Sequence, residues 1–398
     1  MSGKSLVKHL WVISVALLVA LWPVTGLAAP ALRPNPAWQT SAKPPISAGA
    51  AVLLDWRTGQ VLYERNAYAK KDPASTTKVL TAILALEKGK LSDQVKVSKR
   101  AAYTPGSAMY IKPGQVYSLH DLLYGLLLRS GNDAAVAIAE HLAGSVEAFA
   151  REMNMKAKEI GATGTHFVNP HGLTDARHFT TAYDLALITR HALQNDTFRS
   201  IVAKGETPLT FENLNKSVVL YNTNRLLRMM PDADGVKTGT TAAAGPCLVA
   251  SATRGDQKLV AVLLNAGRRW NDAARLLEWG FGNFQLDYLG RAGDLVTEAQ
   301  VAEGKIEKLP LALSGDLVVV TPRHGKVKPR LDLQVQEAVE APVKQGQVLG
   351  RASAVDGDQT RAEVMLVASR DVGRRTWLDN LIRGLSPLLR WMQGEQMM

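Results

Sequence analysis

Three short stretches of the chain carry side chains whose types and spacing permit acyl-transfer chemistry. Ser75-Thr76-Thr77-Lys78 sets a hydroxyl and an amine three residues apart. On the first turn of a helix those positions share a face, so the amine can take the proton that makes a serine a poor nucleophile. The start of such a helix also offers unpaired backbone N–H groups and a positive dipole end beside the serine. Ser130-Gly131-Asn132 places a hydroxyl and an amide two residues apart, around a glycine suited to a tight turn. Lys237-Thr238-Gly239 stands at the start of an expected strand. Taken singly each is weak: the first pattern also occurs from Ser5 to Lys8, where it is accidental, the second reads equally well as a helix-linking loop, and the third as a strand edge.

The elements that must position them follow from periodicity. Ala50 to Leu54 and Val61 to Glu64 are β-prone runs around Arg57-Thr58-Gly59 and predict a hairpin. Helical spacing begins at Ser75 and runs to Leu86, then recurs at Leu122–Leu128, Ala134–Leu142, Glu147–Ile160, Thr181–Leu193 and Ala273–Phe281. Val236, Cys247–Ala252 and Leu259–Leu264 read as strands, the last two antiparallel about Arg254-Gly255. Strands, a block of helices, then strands and a helix predict an α/β (α+β) layer fold whose sheet is assembled from both ends of the segment. After about Gln285, short alternating strands punctuated by Gly315, Gly325, Gly346 and Gly357 predict a smaller all-β domain.

The two ends differ from the rest. Lys4, Lys8 and His9, an apolar run from Leu10 to Trp22, and small residues at Gly26, Ala28 and Ala29 predict a secretory signal peptide over 1–29, with an uncleaved anchor as the other reading. Residues 30–45, with five prolines, read as an extended linker. The catalytic domain is expected over 46–285 and the β domain over 286–368. In 369–398, Trp377, Leu378, Leu381, Ile382, Leu385, Leu388, Leu389 and Met392 recur at helical steps among Arg374, Arg375, Arg383 and Arg390. This predicts a basic amphipathic helix lying on a membrane surface, kinked at Pro387.

Composition bounds the rest. The chain has 398 residues, of which 46% are hydrophobic and 21% charged, enough for two cores and too few charges for gross disorder. Its net charge of +11 fits an anionic partner: nucleic acid, an acidic polymer or a lipid surface. A lone cysteine, Cys247, excludes an internal disulfide and reads as a core residue of its strand. Neither C-x-x-C nor H-E-x-x-H occurs, and no metal or other cofactor is implied.

Found together and in the order S-x-x-K, S-x-N, K-T-G, the three motifs resemble those of the penicillin-binding protein and serine β-lactamase superfamily. Asn169-Pro170-His171-Gly172-Leu173, Thr180-Thr181 with Asp184-Leu185-Ala186, and Lys237 through Ala252 are similar to the low-molecular-mass D-alanyl-D-alanine carboxypeptidases, as is the layout of signal, catalytic domain, β domain and tail. The resemblance implies a β-lactamase/transpeptidase-like catalytic fold acting on peptidoglycan stem peptides, with β-lactams as acylating inhibitors and no nucleic acid partner. It implies Ser75 as nucleophile, Lys78 as base and Ser130 as proton relay. It gives Asn132 the substrate amide, Lys237 and Thr238 the terminal carboxylate, and Gly239 a bare strand for the substrate. The backbone N–H groups of Ser75 and Thr240 would form the oxyanion hole. Arg269, with Arg268 in competition, is a weaker candidate for the carboxylate, and His171 is read as structural. A β-lactamase would need a deacylating glutamate; Glu212-Asn213-Leu214-Asn215 has the wrong spacing and reads as a turn between strands. A DD-endopeptidase or a β-lactam-binding module remain the other readings.

Overall fold

The computed structural model describes residues 42–211, 215–324 and 328–381. The signal peptide, the linker up to residue 41, Glu212 to Leu214, and the tail beyond 381 lie outside them.

The chain opens with strands β1 (Ala50–Asp55) and β2 (Val61–Arg65). Asp55 accepts from the backbone and hydroxyl of Thr58, and Gly59 takes φ +75°, which closes the hairpin as expected. A 3₁₀ turn, Ala74–Thr77, leads into α1 (Lys78–Lys88). A small ribbon of β3 (Gln94–Lys96) and β4 (Val116–Ser118) brackets α2 (Lys99–Ala102). Then come α3 (Leu119–Leu127), α4 (Asn132–Ala143), α5 (Val146–Ile160), α6 (Ala182–Ala192) and α7 (Asp196–Val202). Ser118, Ser145, Thr181 and Asn195 cap four of these by accepting the N–H three residues on. A second hairpin, β5 (Glu206–Phe211) and β6 (Lys216–Tyr221), and the short α8 (Leu226–Met229) precede β7 (Ala233–Thr241), β8 (Gly245–Arg254), β9 (Gln257–Leu264) and α9 (Arg269–Asn283).

The main sheet runs β2-β1-β9-β8-β7 with antiparallel pairs throughout. The first strand of the chain thus pairs with the last of this segment, as the element order predicts. Both faces of the sheet are covered, which is why β1 and β9 read as almost unbroken apolar runs. Alternation still sorts their side chains: Val52, Leu54, Val260 and Val262 face the helical block, while Leu53, Leu259, Ala261 and Leu263 face α9. α1 threads the helical block, buried from Lys78 to Ala85.

Beyond α9 the chain becomes all β. β10 (Phe284–Gly290) pairs with β13 (Leu317–Pro322). A six-stranded sheet joins β11 (Leu295–Ala302), β12 (Lys308–Leu313), β14 (Arg330–Val335), β15 (Val339–Glu340), β16 (Val348–Asp356) and β17 (Gln359–Ala368) around a separate apolar cluster. The β layer also claims residues expected to begin the tail. Val372 bridges to Val343 and Arg374 to Gly304, while the Arg374 and Arg375 side chains pair with Glu303 and Glu307. Two arginines assigned to the amphipathic helix are therefore engaged in ion pairs. Helix begins only at 377, with the Thr376 hydroxyl accepting from Asp379 N–H, and there Trp377 is 78% exposed, beside exposed Leu378 and Leu381.

Gly280 lets α9 lie against the sheet: a Cβ there would sit 2.7 Å from both Leu53 Cδ2 and Leu259 Cδ1. Gly280→Val should therefore cost about 1–3 kcal/mol by overpacking, read as a lower denaturation midpoint with unchanged slope.

Candidate functional site

Ser75 does not open an α-helix as its spacing predicts. It sits in the 3₁₀ turn, because Pro73 and two threonines fold the backbone more tightly: Thr76 Oγ1 donates to Pro73 O at 2.6 Å and Thr77 Oγ1 to Ala74 O at 2.8 Å. Ala74 is held at φ +48°, a left-handed conformation unusual for alanine. Two glycines let neighbouring segments close on this turn. A Cβ on Gly172 would fall 1.8 Å from Ala74 O, and one on Gly239 would fall 2.9 Å from Ser75 N. Gly239 thus leaves room for the backbone of Ser75. His178 completes the clamp. Its Nδ1 accepts from Val168 N–H, so Nε2 carries the proton toward Thr77 Oγ1 at 2.9 Å.

Lys78 lies one turn on, with no exposed surface. Its Nζ contacts Ser75 Oγ at 2.9 Å, Asn132 Oδ1 at 2.6 Å and the His171 carbonyl at 2.8 Å. Burial, and then the positive charge of Lys237, push its pKa well below the ordinary lysine value, against the pull of Asp133. A neutral amine has two N–H bonds and one lone pair. Asn132 Oδ1 and His171 O only accept, so they take both N–H groups, and the lone pair is left facing the serine hydroxyl. His171 acts here through its backbone. Its ring accepts from Leu173 N–H and stays neutral, with burial lowering its pKa to about 3.

Asn132 is held by its Nδ2, which donates to Pro105 O at 2.6 Å. In the Ser130-Gly131-Asn132 stretch, Ser130 itself takes φ +62°. Gly131 has an ordinary φ of −57° and is required for space: a Cβ would meet Asp133 Oδ1 at 2.7 Å. Asp133, buried at the start of α4, accepts from Met109 N, Ile111 N and Ala134 N and so fixes the 105–111 loop. Thr223 joins this region to the last motif, donating its N–H to Leu128 O and sharing a 2.8 Å hydrogen bond with Thr238 Oγ1.

Lys237, Thr238 and Gly239 lie in the second half of β7, further along the strand than expected. Lys237 is 1% exposed and donates to Thr238 O; burial first, then Arg269, lower its pKa to about 7. Arg269 Nη1 donates to Gly239 O and Thr240 Oγ1, both at 2.8 Å, and to Cys247 O. Of the two arginine candidates, Arg269 thus reaches the motif strand, and Arg268 stands at the N-cap of α9. Cys247 is buried, with its thiol pushed up to about 11, and is no nucleophile.

These side chains meet at one place, and known proteins share the sequence and fold that bring them there. Residues 37–268 match the family model for D-alanyl-D-alanine carboxypeptidase, and 284–374 match the penicillin-binding protein 5 C-terminal domain. The chain belongs to the D-alanyl-D-alanine carboxypeptidase family. It is 34% identical to the D-alanyl-D-alanine carboxypeptidase DacF of Bacillus subtilis over 84% of this chain and 88% of that one. It is 38% identical to DacC of Escherichia coli, over 78% and 81%. Penicillin binding protein 5 from Haemophilus influenzae superposes with a TM-score of 0.72 at 30% identity, covering 84% of this chain and 99% of that one.

Four supports of this carboxypeptidase-family site had escaped the sequence reading: Asp133, Thr223, His178 and the spatial role of Gly172. Asp133 directly follows a motif, but nothing in its spacing reveals that three backbone N–H groups converge on it. Thr223 and His178 are far from any motif in sequence. The two buried amines carry a stability consequence. Lys237 titrates near 7 when folded and near 10.4 unfolded, so between those values the unfolded chain holds the extra proton. Stability should therefore rise from pH 7 to 9, and Lys237→Met should flatten that rise in denaturant titrations.

Proposed function

We propose that the protein removes the terminal D-alanine from peptidoglycan stem peptides through an acyl-enzyme on Ser75. The observation that carries this reading is the Lys78 amine, buried, depressed in pKa and 2.9 Å from the serine hydroxyl. Ser75 Oγ attacks the carbonyl between the two D-alanines while Lys78 takes its proton. The Oγ–C bond forms and the C–N bond breaks. Ser130, two residues before Asn132, relays the proton from Lys78 to the departing D-alanine nitrogen. The N–H groups of Ser75 and Thr240 hold the oxyanion, each such donor being worth about 2.7–4 kcal/mol in the transition state. Asn132 holds the substrate amide. Lys237 and Thr238 meet the terminal carboxylate, with Arg269 adding positive charge at Thr240. Water then releases the shortened peptide, with Lys78 again as base. A β-lactam presents the same carbonyl and carboxylate and acylates the same oxygen.

Two substitutions test this. Ser75→Ala should abolish D-alanine release and the penicillin adduct seen by mass spectrometry. Lys78→Arg keeps a cation that cannot lose its proton at working pH, and should lower the acylation rate by at least about 10²-fold. Full trimming by either variant would overturn the assignment.

We further infer export by the 1–29 segment and docking on the membrane face by the helix that starts at 377. Exposed Trp377, Leu378 and Leu381, followed in sequence by Arg383 and Arg390, suit an anionic lipid surface. Because Val372 and Arg374 bridge to the β layer, the informative truncation removes 376–398. It should shift the processed protein from membrane to soluble fractions and leave D-alanine release intact; unchanged membrane binding would refute the anchor.

A further inference from the structure

Next to the site, α2, the first turn of α5 and the 168–177 loop enclose a groove of about 750 Å³, within the range of small-ligand sites. One wall is shared with the catalytic centre. Asn169, His171 and Leu173 line the groove, and His171 is the residue whose carbonyl holds Lys78. The opposite wall is pinned by the same machinery, since Pro105 receives the Asn132 amide. The groove therefore requires no rearrangement to form.

Its position follows the expected path of the substrate. With the terminal carboxylate at Lys237 and Thr238 and the reacting carbonyl at Ser75 and Thr240, the peptide upstream of the scissile bond leaves past Thr241. There Thr174 Oγ1 meets Thr241 Oγ1 at 3.2 Å, and on either side of Thr174 Leu173 and Asp175 enter the groove lining.

The charges in the groove are unevenly satisfied. Arg100 forms a two-point pair with Glu147 at 2.7 and 3.2 Å, and Arg177 reaches Asp175 at 3.3 Å. Lys99, on the same lining, has no acidic partner within ion-pair distance among the described residues. Both acids are thus already engaged, and one cation is left over on a lining it shares with exposed Tyr103.

We propose that this groove is a subsite for the peptide upstream of the scissile bond, and that Lys99 pairs there with a side-chain carboxylate of that peptide. The subsite rests on the carboxypeptidase reading above. It makes the enzyme prefer acidic stem segments by binding and leaves the chemical step alone, because Lys99 lies away from the reacting atoms.

The experiment uses two synthetic pentapeptides ending in D-Ala-D-Ala that differ only at the second residue, glutamate or glutamine. D-alanine release is measured for the full chain and for Lys99→Ala and Lys99→Glu. The readout is the ratio between the two peptides within each protein, so a general loss cancels. The wild type should show a KM about three- to five-fold lower for the glutamate peptide, the size expected of an exposed ion pair, with similar kcat. Salt should erode the preference, Lys99→Ala should abolish it and Lys99→Glu should reverse it. Equal KM values in the wild type, or a preference that survives Lys99→Glu, would overturn the subsite alone. No D-alanine released from either peptide would overturn the carboxypeptidase reading and the subsite with it.

Discussion

The structure depends on keeping one lysine uncharged inside the protein. An ammonium at Lys78 would lose its hydration without gaining a carboxylate contact, since Asn132, His171 and Ser75 offer only neutral oxygens. Desolvation therefore favours the free amine. The two carbonyl oxygens then decide where its lone pair points. Burial supplies a free amine and hydrogen bonding aims its lone pair at Ser75 Oγ; neither alone does both. Asp133 could spoil this by stabilising the charged form. Its oxygens are occupied instead by Met109, Ile111 and Ala134 N–H groups.

That burial has to be built from three segments distant in sequence, and the closest approaches show how. The turn carrying Ser75 is touched by the 169–173 loop at Gly172 and by β7 at Gly239, at separations that no larger residue allows. The strain in the turn, visible at Ala74, is held by this over-determined packing. Thr77 Oγ1, itself held by His178 Nε2, donates to the Ala74 carbonyl, so the turn that carries Ser75 is fixed by the fold alone.

Much of this was legible in the sequence because it follows from residue type and order. The three motifs and their order name the chemistry. Alternating apolar runs such as Ala50–Leu54 and Leu259–Leu264 reveal the central strands, since burial on both faces leaves so few polar interruptions. The remainder depends on contacts that spacing does not encode. Helical periodicity at Ser75 could not distinguish a 3₁₀ turn, because i and i+3 share a face in both geometries. Gly131 looked like the residue that makes the turn, yet Ser130 bears the positive φ. The tail was drawn to begin at 369 because its arginines suit an amphipathic helix, whereas Glu303 and Glu307 draw two of them into the β layer. In each case a partner far along the chain overrides the local pattern.

The two buried lysines face opposite demands on the proposed mechanism. Lys78 would have to be neutral to act as a base, whereas Lys237 would serve best charged, facing a carboxylate. Burial, then Arg269, sets Lys237 near 7, so it is divided between the two forms. A carboxylate paired with Lys237 would favour its charged form, while the carboxylate's own negative charge would offset what that form does to Lys78. Arg269 opposes the charging of Lys237, because its guanidinium, held on Gly239 O and Thr240 Oγ1, adds a second positive charge nearby. On the proposed mechanism, desolvation and Arg269 keep Lys237 partly neutral until a substrate carboxylate pairs with it.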